Sequence, residues 1–123
     1  MKNEKNEEFK RRLYAFVLRL VKFVENLKKT QTSKVVGNQV LRSGTSILGN
    51  FIEAHAASSK KDYTNYFNHS LKSANESTIW ITLLRDTDNG DRKEADWLIG
   101  ELTQISNIFA SSLLTLRGKR KTF

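Results

Sequence analysis

The chain has 123 residues, with 21 Lys or Arg against 13 Asp or Glu, a formal net charge of +8, and neither cysteine nor proline. That length suits one domain with a core of its own, and the missing cysteines exclude disulfides, thiol catalysis and cysteine-based zinc sites. No apolar run approaches the ~20 residues of a membrane span, and the opening MKNEKNEEFKRR has no secretory h-region, so a cytoplasmic protein is expected.

The spacing predicts a first helix over residues 5–29, where Phe9, Leu13, Phe16, Val17, Leu20, Val24 and Leu27 recur at intervals of three and four. Arg12 and Arg19 lie on one flank, with Arg11, Lys22 and Lys29 beside them. A turn at Thr30-Gln31-Thr32-Ser33 offers Thr32 or Ser33 as the cap of the next helix.

The second helix is expected over 34–57, and its segment QVLRSGTSILGNFIE (Gln39–Glu53) has two unlike sides. At ~100° per residue, Val40, Gly44, Ile47, Leu48, Phe51 and His55 form an apolar arc. Arg42, Ser46, Gly49 and Glu53 share a narrow opposite stripe. Small residues between one Arg and one Glu suit a second contact surface better than a solvated stripe.

Ser59 with Asp62 forms a capping-box pattern that opens a third helix over 60–87. Tyr63, Phe67, Leu71, Ala74, Thr78 and Ile81 give it one apolar face, and His69, Ser73, Glu76 and Trp80 form a stripe roughly opposite. Asp88-Asn89-Gly90 stops it, with Gly90 or Asn89 suited to a left-handed helix end. Asp91 with Glu94 repeats the box and opens a fourth helix over 92–117, with Leu98, Leu102, Ile105 and Phe109 on its seam and a basic tail over 117–123. Four similar helices with short turns predict an all-α fold, an antiparallel up-and-down four-helix bundle in a single domain.

That topology acts on the charge. Residues 1–30 hold nine Lys or Arg and four Glu, a net of +5, whereas residues 31–90 hold six against five, a net of +1. The start of the first helix and the end of the fourth lie at one end of such a bundle. Lys5, Arg11, Arg12, Arg19 and Lys22 are therefore grouped with Arg117, Lys119, Arg120 and Lys121 as a candidate phosphate-binding surface. The competing reading is a solvated helix face and a solubilising tail. A membrane-surface role is disfavoured, because the core needs the apolar face of the first helix.

Along the second and third helices, Arg42, Ser46, Gly49, Glu53, Glu76 and Trp80 are candidates for an oligomer or inter-helix contact. A pair between Arg42 and Glu76, within one subunit or across an interface, is geometrically possible.

Catalytic and metal signatures are lacking, so no enzyme, cofactor or metal is expected. A di-metal bundle site wants Glu-x-x-His from two helices, and no Glu-x-x-His occurs beside Glu53 or Glu76. His55 and His69 lack ligand partners and a Ser–Asp pattern for acyl transfer. Asp86–Asp91 departs from a calcium loop in the place of its glycine and the absence of a closing glutamate.

QVLRSGTSILGNFIEA (Gln39–Ala54), SSKKDYTNYF (Ser58–Phe67) and LKSANESTIWITLL (Leu71–Leu84) resemble the four-helix-bundle proteins encoded in intervening sequences of 23S ribosomal RNA genes, often labelled S23 ribosomal protein. Phe51, Ile52 and His55 depart mildly from that pattern. The family is similar in fold to the accessory variability protein of diversity-generating retroelements, a ring of five subunits that binds nucleic acid and a reverse transcriptase. The resemblance implies a homopentamer, an RNA or DNA ligand, a possible reverse-transcriptase partner and no catalytic residues. The alternative is a protein–protein adaptor or assembly scaffold that does not bind nucleic acid directly.

Overall fold

The computed structural model describes residues 2–118, with side chains from residue 4 onward. Four helices follow in order: α1 (Lys2–Glu25), α2 (Gln31–Ala56), α3 (Lys60–Asp86) and α4 (Arg92–Leu116). They form an up-and-down bundle in which α1 and α3 each pack on α2 and α4 and not on each other. The contact of α2 with α3 is the most extensive and that of α1 with α4 the least.

The helix ends follow local chemistry. Ser59 and Asp91 cap α3 and α4 by accepting the backbone N–H of Asp62 and Glu94, as the sequence predicts. The cap of α2 is Thr30, not Thr32 or Ser33: its hydroxyl oxygen accepts the Ser33 N–H at 3.0 Å, and α2 starts three residues earlier than expected. Helix α1 stops at Glu25 rather than 29, because the chain beyond it turns to meet the α3–α4 corner. There the Lys28 N–H donates to the Asn89 carbonyl (2.9 Å) and the Thr30 hydroxyl to Asn89 Oδ1 (2.7 Å).

The left-handed residue after α3 is Asp88 (φ 61°), not Asn89 or Gly90. The Asn89 N–H then returns to the Leu84 carbonyl, the six-to-one bond of a Schellman end. Gly90 serves another purpose: a Cβ there would lie 2.5 Å from Phe23 Cζ. A glycine lets this corner close over the end of the core.

The core takes its residues from all four helices. Leu13, Phe16, Leu20 and Phe23 of α1 meet Val40, Ile47 and Phe51 of α2, Phe67, Ala74 and Ile81 of α3, and Leu98, Leu102, Ile105 and Phe109 of α4. Near the end where α1 begins, one phenylalanine from each helix closes a ring. Phe9–Phe51, Phe51–Phe67, Phe67–Phe109 and Phe109–Phe9 have centroids 5.3, 5.8, 5.1 and 5.4 Å apart. Three of those four contacts are edge-on, the arrangement aromatic quadrupoles prefer.

Candidate nucleic-acid interface and the α2–α3 face

The candidate basic residues divide into two groups. Arg12 and Arg19 are not free cations; they staple α1 to α4. Arg12 forks onto Glu101, Nε to Oε2 at 2.8 Å and Nη2 to Oε1 at 2.9 Å, and also donates to Gln104. Arg19 forks onto Glu94, and its guanidinium carbon lies 3.6 Å from the centroid of the Trp97 ring. Hydrogen bonds donated to the carboxylate hold each guanidinium more firmly protonated, against a smaller opposing effect of desolvation. Both guanidinia, grouped by sequence with the phosphate-facing cations, are thus already engaged by carboxylates of α4. On antiparallel helices, Arg12 and Arg19 are seven apart on α1 and Glu94 and Glu101 seven apart on α4, so both pairs come level.

Lys22 lies seventeen residues beyond Lys5, about 26 Å along a helix. It belongs to the opposite end, where it lines a groove of about 610 Å³ with Ala15, Leu18, Arg19, Asp91 and Glu94. Lys28, Lys29 and Lys34 cluster there too, around a neighbouring hollow at the start of α2. The positive excess of residues 1–30 is thus shared between both ends of the bundle.

At the end where α1 begins, Lys5, Arg11 and Arg117 are exposed. Two further exposed cations join them: Lys60 and Lys61 open α3, and topology brings the α2–α3 turn to this same end. Both are absent from the set grouped by sequence, although the up-and-down order alone is enough to place them. Lys119, Arg120 and Lys121 lie outside the described residues. Glu4, Glu7 and Glu8 sit on the first turns of α1 beside Arg11, so cations and carboxylates are interleaved here.

Helices α2 and α3 meet through hydroxyls. Ser43 Oγ and Ser77 Oγ lie 2.7 Å apart, Ser73 donates to Ser46 Oγ at 3.0 Å, and Ser70 donates to the Ile47 carbonyl at 2.9 Å. Ser77 also donates to the Ser73 carbonyl, which leaves Ser43 as donor in the Ser43–Ser77 bond. Ser46 is therefore an inter-helix contact. Arg42, Gly49 and Glu53 are exposed, and a Cβ on Gly49 would meet nothing within 4 Å. Among the described residues Glu76 does not pair with Arg42 inside the subunit; it accepts the Trp80 indole N–H at 3.1 Å. Trp80 itself is half-buried against the core.

A model of the 23S rRNA-intervening sequence protein family matches residues 5–111. The chain belongs to that family. A crystal structure of a protein of unknown function from the S23 ribosomal protein family of Bacteroides thetaiotaomicron VPI-5482 is 35% identical, with a TM-score of 0.78 over 85% of this chain and 96% of that one. No functionally curated protein matches.

Family membership extends beyond α2 and α3 to α1 and most of α4. The segments that carry the resemblance, Gln39–Ala54 and Leu71–Leu84, supply Ser43, Ser46, Ser73 and Ser77 of the hydroxyl seam. Among the described residues no His, Asp and Glu converge as a metal site, and no helix is long and apolar enough to cross a membrane.

Proposed function

We propose that this protein is a non-enzymatic, homo-oligomeric nucleic-acid-binding or accessory protein of the cytoplasm. It contacts phosphate at the end of the bundle where α1 begins and α4 finishes. The observation that carries the reading is the gathering of Lys5, Arg11, Lys60, Lys61 and Arg117 at that end, exposed. Among the described residues none of the five has an ion pair, while Arg12, Arg19 and Arg85 are engaged by carboxylates. Unpaired cations can exchange condensed counterions for phosphate without first breaking an internal bond. The tail carrying Lys119, Arg120 and Lys121 extends the same set in sequence.

A cyclic assembly, a homopentamer by likeness to the accessory variability protein, would repeat this surface once per subunit and multiply weak contacts by avidity. A ribosomal RNA or a retroelement reverse transcriptase is the partner class that likeness suggests. The interleaved Glu4, Glu7 and Glu8 favour a second reading, a scaffold that meets a protein of mixed charge without binding nucleic acid.

Light scattering with structured RNA and duplex DNA at about 50 and 200 mM salt separates the two. The first reading expects complexes whose affinity falls by orders of magnitude across that range. Retention that ignores salt, or no retention at either salt, favours the scaffold.

A further inference from the structure

Large apolar side chains stand exposed on all four helices, and those of α1 and α3 lie on opposite sides of the bundle. On α1 these are Tyr14 (56% exposed) and Leu18 (49%); on α3 they are Ile79 (61%) and Leu83 (39%). Tyr14 and Leu18 form one wall of an apolar groove of about 460 Å³, completed by Leu48 and Ile52 of α2 and rimmed by Lys10 and Arg11. A monomer gains nothing by presenting two such faces to water.

The two stripes match residue for residue. A shift of 65 positions takes 7, 11, 14 and 18 to 72, 76, 79 and 83. It sets Glu7 against Lys72, Arg11 against Glu76, Tyr14 against Ile79 and Leu18 against Leu83. Both stripes keep the four–three–four spacing of a seam between parallel helices. Each charged position meets its opposite and each apolar position an apolar one. The same shift sets the small, exposed Ala15 against Trp80, whose indole already holds the Glu76 carboxylate at this surface.

Direction fits as well. In an up-and-down bundle α1 and α3 run the same way, and here they lie on opposite sides, each packed on α2 and α4 and not on each other. Rotation about an axis parallel to the bundle preserves helix direction. It can therefore bring α1 of one copy alongside α3 of the next, in parallel, and repeat the contact around a closed ring.

The geometry points to a head-to-tail self-assembly contact in which the Glu7–Arg11–Tyr14–Leu18 stripe of α1 packs on the Lys72–Glu76–Ile79–Leu83 stripe of α3 in a second copy. The occupant is this chain itself, because the complementary surface is its own. The inference rests on the homo-oligomeric part of the proposed function and assigns the surfaces that make it. It draws Glu76 and Trp80 into the contact, with Arg11 rather than Arg42 as the partner cation, and leaves Lys5, Lys60, Lys61 and Arg117 to face phosphate.

Two blocked variants test it, with circular dichroism confirming that each stays helical. Leu18→Glu disables the α1 stripe and Leu83→Glu the α3 stripe, so each alone should sediment as a monomer, its contact weakened about thirtyfold or more. Mixed, they retain one intact α1 stripe and one intact α3 stripe, and should form a one-to-one dimer that goes no further. Charge reversal gives an independent check: Arg11→Glu and Glu76→Arg should each weaken assembly, and together in one chain should restore it. If the parent chain assembles but Leu18→Glu and Leu83→Glu keep its mass, the contact is overturned while the oligomeric reading stands. The contact is equally overturned if the reversed pair fails to restore assembly. A parent chain that stays monomeric overturns both.

Discussion

The α2–α3 and α1–α4 contacts are built from opposite materials. Between α2 and α3, serines let two helices approach along their length, and their hydroxyls satisfy one another inside the contact. Between α1 and α4 the packing is sparse, and long side chains bridge it at the surface through two Arg–Glu forks. The first contact depends on volume and the second on charge. Short-range packing tolerates almost no added atoms, whereas partly exposed ion pairs such as these contribute little and weaken with salt. The difference shows where the chain has latitude: the α1–α4 seam can vary its side chains, while α2 and α3 are held to small residues at fixed positions.

The sharpest way to break the comparison is to overfill the tight seam. Ser77 is fully buried against Ser43, so Ser77→Leu should destabilise the fold by about 3 kcal/mol, read as a lower urea midpoint. A milder form removes only the hydroxyls. Ser43→Ala and Ser77→Ala should each cost about 1 kcal/mol, and the double variant less than their sum, because neither partner is then left unmatched.

The loose seam should respond differently. Arg12→Ala and Glu101→Ala, combined in a double-mutant cycle, should show a coupling of roughly 0.5–1 kcal/mol that shrinks as salt rises. Coupling that ignores salt would mean the fork behaves as a buried contact, and the contrast between the two seams would fail.

The smallest expected effect lies at the aromatic end. Burial pushes the Tyr63 phenol above its usual range of about 10. The unfolded chain then loses that proton first as pH rises, so stability is unaffected below about pH 10 and falls above it. Tyr63→Phe should flatten that alkaline loss in urea midpoints measured across pH 8 to 11.

Helix number, order and most of the core were legible because apolar spacing and the caps at Ser59 and Asp91 agreed with each other. The turns were less so. Asp88, not glycine, takes the left-handed position directly after the Thr87 cap, and Gly90 stands instead where Phe23 crowds the corner. That requirement is tertiary, and no local pattern carries it. Arg12 and Arg19 looked like ligand-facing cations until antiparallel register set them beside Glu101 and Glu94. Lys60 and Lys61 were missed for the converse reason: they are remote in sequence from the chain ends they join in space. Phe51 completes the four-phenylalanine ring under that same end.

The central claim, phosphate binding at one end of the bundle, is tested most directly by removing equal charge from each end. One variant replaces Lys5, Lys60, Lys61 and Arg117 with alanine, and the other replaces Lys22, Lys28, Lys29 and Lys34. The salt dependence of duplex DNA affinity is then measured for both. The account predicts that the first variant flattens the slope of log affinity against log salt by about 3, while the second changes it by less than about 1. Equal losses from both variants, or a larger loss from the second, would contradict it.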